Sequence, residues 1–183
     1  MTVVRLYDMF TSIVADVHTK VGTPGGYVIS YMYGHPIEII ENLRQMSKRE
    51  EYPIEEIGVV LAPKYPLIAL FTDIEEKRGE DWQIESEVDL HFIIANITEK
   101  GYTAEERATV NFKAKLYPIY DQFLKSIASS GYFRESVWQD IKHTKIDRFF
   151  WGKTGLYANA GNVFEDYLDC IELTNLKLTL HKT

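Results

Sequence analysis

The chain has 183 residues, of which 45% are hydrophobic, 13% aromatic and 26% charged. These are the proportions of a globular chain with a core that needs neither metal nor disulfide, and they exclude wholesale disorder and collagen-like repeats. A formal net charge of −7 and a single cysteine argue against general binding to a nucleic-acid backbone and point to a reducing compartment.

Taken in chain order, Val3, Leu6, Tyr7, Phe10, Ile13, Val14 and Val17 follow one face of a helix. Charges at positions 5, 8 and 16 leave no apolar core for a signal peptide. Val21 to Gly26 carries Gly and Pro and predicts a stop. Tyr27 to Tyr33 is aromatic and β-branched and reads as a strand. Pro36 suits the first turn of a helix through Ile37, Ile40, Leu43 and Met46.

Leu67 to Phe71 is apolar on both faces, as in a central strand. Such runs are far shorter than the ~18 residues of a membrane span. Trp82 to Ile97 alternates Trp82, Ile84, Val88, Leu90, Phe92 and Ile94 against polar positions, with Ser86 and Ile93 breaking the pattern. It predicts a half-buried antiparallel strand that forms a long, projecting hairpin with Leu67 to Ile74.

Thr103-Ala104-Glu105-Glu106 is a capping box opening a helix that buries Val110, Phe112, Leu116, Ile119, Phe123 and Ile127. Pro118 lies mid-helix and predicts a kink. Val137 to Ile141 reads as a short helix, Thr144 to Trp151 as a strand and Gly152 to Gly161 as a loop. In Tyr167 to Leu180, Ile171 and Leu173 are out of phase with Leu176, Leu178 and Leu180, which requires a bulge near Thr174-Asn175.

The expected fold is α+β: an antiparallel sheet of about five strands with a long β-hairpin, packed against two main helices and one short helix. Residues 1–183 read as a single domain, with 134–183 as a candidate C-terminal extension.

Chemical motifs are sparse. His35 and Glu38 lie one helical turn apart without a second ligand pair, so a helix-start role is preferred over metal binding. His143 and Asp147 fall on a strand, and acids beside Cys170 work against a nucleophilic thiolate. Gly22, Gly25 and Gly26 read as a turn rather than a phosphate cradle. Tyr27, Tyr31 and Tyr33 lack the basic groove of a base-stacking platform. The expectation is no catalytic residue, no cofactor and no metal. The alternative is a small cytoplasmic hydrolase or metalloenzyme using His91 or His143 with nearby carboxylates.

Charge is segregated. Asp73 to Asp89 holds eight acids and two bases, whereas Lys113 to Lys153 holds eight bases and four acids. The hairpin-tip acids Glu75, Glu76, Glu80 and Asp81 are therefore candidate interface residues against Lys142, Lys145 or Arg148 of a neighbouring copy, and Glu85, Glu87 and Asp89 are expected to share one face that lines a channel wall or interface.

The order of elements, with Tyr31-Met32-Tyr33-Gly34-His35-Pro36-x-Glu38, Lys64-Tyr65-Pro66-Leu67-Ile68-Ala69-Leu70-Phe71 and Arg107-x-x-x-Asn111-Phe112-Lys113-x-x-Leu116-x-Pro118, resembles tail-terminator and related neck proteins of tailed phages. The ending Gly161-Asn162-x-Phe164-x-Asp166-x-x-Asp169-x-Ile171-Glu172 is similar to one found in structural proteins of phages infecting gut Bacteroidetes. Chain length after about Arg134 departs from the pattern, since family members are often shorter. The resemblance implies a non-enzymatic virion protein, assembled in the host cytoplasm, that forms a ring with itself, a hexamer by family pattern. The ring would cap the tail tube and join it to the capsid connector, so the tail tube protein and the neck or connector proteins would be its partners. It implies neither a membrane nor sequence-specific nucleic acid, although the genome would pass through the ring.

Overall fold

The computed structural model describes residues 3–51, 63–78, 86–149 and 166–181. Helix α1 (Val3–Val17) turns Leu6, Phe10, Ile13, Val14 and Val17 inward. Helical winding does not stop at Val21, as the glycines and proline predict. It widens into a π-turn over His18–Gly22 and closes with α2 (Thr23–Gly25), ending at Gly26 with φ 72°. Pro24 lies in the first turn of α2, where its missing N–H is not needed. Tyr27 N–H still donates to Gly22 O at 3.0 Å. That bond holds 27–29 at the helix exit, so β1 (Ser30–Gly34) starts later than the aromatic run suggests.

Helix α3 (Pro36–Glu51) carries the chain back, and β2 (Leu67–Arg78) lies parallel to β1. The sheet is thus mixed, because a helical crossover delivers the second strand in the first strand's direction. β3 (Ser86–Ile97) returns antiparallel to β2; the hairpin tip, 79–85, lies outside the described residues, as does Trp82 to Glu85 of the predicted strand.

The capping box forms as the sequence dictates. Glu106 N donates to Thr103 Oγ1 at 3.2 Å, and Thr103 N to Glu106 Oε2 at 2.7 Å. It opens α4 (Ala104–Glu106), followed by π winding over Arg107–Leu116 and then α5 (Tyr117–Ser129). Around Pro118 the structure shows a change of winding. Tyr117 N–H reaches back to Phe112 O, and the proline falls in the first turn of the α-wound part.

A 3-10 turn (Trp138–Asp140) leads to β4 (Thr144–Arg148), and β5 (Leu168–Leu180) closes the sheet. The predicted loop Gly152 to Gly161 lies outside the described residues. The five strands run in the order β1-β2-β3-β5-β4. The segment after Arg134 therefore supplies an inner strand and an edge. The predicted slip in β5 is real: pairing with β3 shifts between Leu90 and Phe92, and Asn175 takes φ 53°. The bulge keeps Ile171, Leu173, Leu176, Leu178 and Leu180 on one buried face.

That face packs on α1 and α5 around Phe10, Phe92 and Phe123, whose ring centroids stand 4.7 Å (Phe10–Phe92) and 5.1 Å (Phe92–Phe123) apart. Such pairs add about 0.5–1.5 kcal/mol beyond their area burial. The opposite face is covered by Ile39, Ile40 and Leu43 of α3, over Leu67, Ala69, Phe71, Ile93, Ala95 and Cys170. This second layer explains why Ile93 breaks the sequence alternation: the strand is buried on both faces at that end. The hairpin does not project over its described length, because β5 flanks β3 as far as Ser86, opposite Leu180.

Candidate functional site

The polar side chains with sequence-level interest fall on both faces of the β3–β5–β4 half of the sheet. The register row Phe71, His91 sits beside Ile93, Glu172, Ile146, and alternation places His91, Glu172 and Arg148 on the α3 face. Glu172 Oε1 lies 3.1 Å from His91 Nε2, and Arg148 Nε donates to Glu172 Oε2 at 2.5 Å. The Glu172 side chain is 3% exposed. The His91 hydrogen bond, joined by that from Arg148, holds its carboxyl below the usual carboxylate range against the opposing effect of burial. Phe71 meets the His91 ring edge-on at 4.8 Å. Cys170 is buried nearby, and burial together with Glu172 pushes its thiol well up, away from thiolate chemistry.

On the helix-covered face, Lys145 Nζ contacts Asp147 Oδ1 at 2.6 Å and lies 4.6 Å from the centre of the Tyr117 ring. Tyr117 donates its hydroxyl to Asp147 at 2.8 Å. The acceptor raises the Tyr117 pKa. His143 Nδ1 lies 2.8 Å from the carbonyl of Ile141, which fixes the proton there, so Nε2 accepts from Tyr120 at 2.7 Å. His143 is thus a strap between the start of β4 and α5.

Of the candidate interface residues, Glu75, Glu87 and Asp89 share the face that α3 leaves uncovered at the hairpin end. Glu75 pairs with Lys77 at 3.3 Å, and Asp89 lies opposite Lys177. Glu76 lies opposite Val88, on the other face. Glu80, Asp81 and Glu85 lie outside the described residues. Lys142 is exposed, and its carbonyl accepts from Lys177 N at 3.2 Å. Lys145 and Arg148 project from opposite faces of β4, each onto an acid of its own chain. The proposed basic surface is therefore divided by the sheet.

His35 takes the helix-start role. Its Nδ1 accepts from Ile37 N at 3.3 Å, while Glu38 Oε2 accepts from His35 N at 3.3 Å. Among the described residues, no three His, Cys, Asp or Glu side chains group as a metal site. A cleft between α1 and α5 is lined by Ser12, Asp16, Lys20, Ser126 and Tyr132, but Asp16 already accepts from Lys20 at 2.8 Å and Ser126 at 2.6 Å.

Sequence reasoning missed the interior network at the opening of the long helix. Arg107 donates to Asp169 Oδ1 at 3.2 Å, Thr98 Oγ1 at 2.7 Å and Glu99 O at 2.6 Å. Asn111 donates to Asp169 Oδ2 at 2.8 Å and accepts from Asn96 at 2.7 Å. A signal was present: Arg107 and Asn111 occur four apart on a face otherwise apolar, and Asp169 interrupts the apolar run of β5.

No family model matches the chain, and neither curated proteins nor solved structures give a match. Among the described residues, no helix is long and apolar enough to cross a membrane.

Proposed function

We propose that the chain is a non-enzymatic virion structural protein, a tail-terminator or neck subunit that forms a ring at the head–tail junction. There it caps the tail tube and joins it to the capsid connector. The observation that carries this reading is the partition of the sheet's second face. Its inner half lies under α3, and its hairpin half presents Glu75, Lys77, Glu87, Asp89 and Lys177 in cross-strand opposition. A charged, ordered β surface suits contact with a repeating partner, where charge complementarity sets register.

The enzymatic alternative is less favoured by the geometry of its two histidines. His143 has both ring nitrogens engaged by the fold, and His91 holds a carboxylate that is also held by Arg148. These contacts tie strands and helices together.

Gold-labelled antibody against the purified chain tests the reading on tailed virions produced by cells in which the chain is made. Label at the junction of head and tail supports it. Label on the capsid face or the tail tip, or a protein absent from the particle, contradicts it.

A further inference from the structure

We propose that β1 of one copy pairs with β4 of the next, so that the sheet continues from subunit to subunit. The inference rests on the ring reading only for closure; the junction itself rests on the sheet. The order β1-β2-β3-β5-β4 leaves two edges, each five residues long, and no strand among the described residues pairs beyond either. Ser30 N donates to Pro66 O at 2.8 Å, so alternation turns the backbone groups of Tyr31 and Tyr33 away from β2. Unpaired edge groups of this kind template another strand. The surroundings are apolar: Val28, Tyr33 and Ile37 are more than one-third exposed near β1, and so is Phe149 after β4.

The second copy is the occupant that the directions and faces favour. β1 is parallel to β2, and each later step across the sheet, β2 to β3, β3 to β5 and β5 to β4, is antiparallel. β4 therefore runs opposite to β1. A copy related by rotation about a ring axis presents its β4 antiparallel to β1, the more stable pairing. Registers carry single rows across the whole sheet: Tyr33, Leu70, Phe92, Leu173, Lys145 on one face, and Met32, Ala69, Ile93, Glu172, Ile146 on the other. With central residues opposed, Met32 meets Ile146 and Tyr33 meets Lys145. Lys145 already lies over two tyrosine rings in its own chain, at 4.6 and 5.4 Å, so the pair is of a kind β4 makes. Closing the ring removes both edges.

Paired cysteines test the junction. Three double variants are made: Met32→Cys with Ile146→Cys for the central register, and Met32→Cys with Thr144→Cys or Arg148→Cys for the neighbouring ones. Thermal unfolding checks that each is folded. A bond between the two introduced cysteines within one chain is excluded, since three strands intervene and β1 to β4 spans about 19 Å at ~4.8 Å per strand, whereas a disulfide needs Cα atoms within ~6.8 Å. Arg148→Cys is made together with Cys170→Ser, because Cys170 lies directly opposite it on β5 and would otherwise bond to it. In the other two double variants buried Cys170 stays as an internal control. After oxidation, one pair is expected to give a ladder of covalent multimers that collapses to 21.2 kDa on reduction, while single variants stop at dimers. Rings without a ladder from any pair overturn the junction and leave the ring reading standing. A ladder in open chains supports the junction and overturns the ring. Folded protein that stays monomeric and unlinked at high concentration overturns the junction.

Discussion

Arg107 and Asp169, 62 residues apart in sequence, meet at 3.2 Å in the interior, where neither is more than 1% exposed. The pair pins the opening of the long helix to β5. Thr98 Oγ1 and the Glu99 carbonyl also accept from Arg107, and Asn111 also donates to Asp169. A buried ion pair so supported is costly to break and nearly neutral to replace as a unit. Arg107→Ala is expected to lower unfolding free energy by about 3–5 kcal/mol. Arg107→Met with Asp169→Leu should recover most of that loss in urea melts. A single variant that unfolds like the parent would deny the network its structural role.

Glu172 gives the acid side of stability a defined source. Its carboxyl lies below its ordinary value of about 4.5 because His91 and Arg148 bond the ionised form. Such a group contributes stability that is complete above the unfolded value and is lost as pH falls through the folded one. Glu172→Gln should therefore flatten the fall in melting temperature below about pH 4.5 relative to the parent. Parallel acid limbs for parent and variant would rule this out.

Gly22 is held by crowding. An added Cβ would stand 2.4 Å from His18 Nδ1 and 2.8 Å from the Tyr27 carbonyl. Gly22→Ala should cost about 1–3 kcal/mol, the usual range for overpacking. His18→Ala in the same chain relieves the ring but not the carbonyl, so only part of the loss should return. Full recovery in denaturant titration would place the whole clash on the histidine.

The divided basic surface predicts unequal charge reversals. Lys142 is exposed, whereas Lys145 and Arg148 pair with Asp147 and Glu172. Lys142→Glu should leave the melting temperature unchanged, and Arg148→Glu should lower it, because it sets a second acid against the buried Glu172. Equal effects of the two reversals would contradict the assigned pairings.

Periodicity made much of the fold legible. The Thr103 capping box, the β5 slip and the α1 face each follow from local spacing. What sequence did not reveal is long-range. The parallel direction of β1 depends on where α3 delivers the chain, and Ile93 is inward only because α3 covers its face. The candidate surface was less legible still. Charges counted along the chain placed Lys145 with Arg148, but strand alternation sends them to opposite faces, where Lys145 meets Asp147 of its own strand and Arg148 meets Glu172 of β5.

Solution mass of the purified full chain, by analytical ultracentrifugation across a concentration series and with electron micrographs of the same sample, tests ring formation most directly. A closed species is expected at a fixed small multiple of 21.2 kDa, six by the resemblance, seen end-on as a ring with a central opening. A single monomeric species at every concentration, or an open aggregate with no closed form, would contradict it.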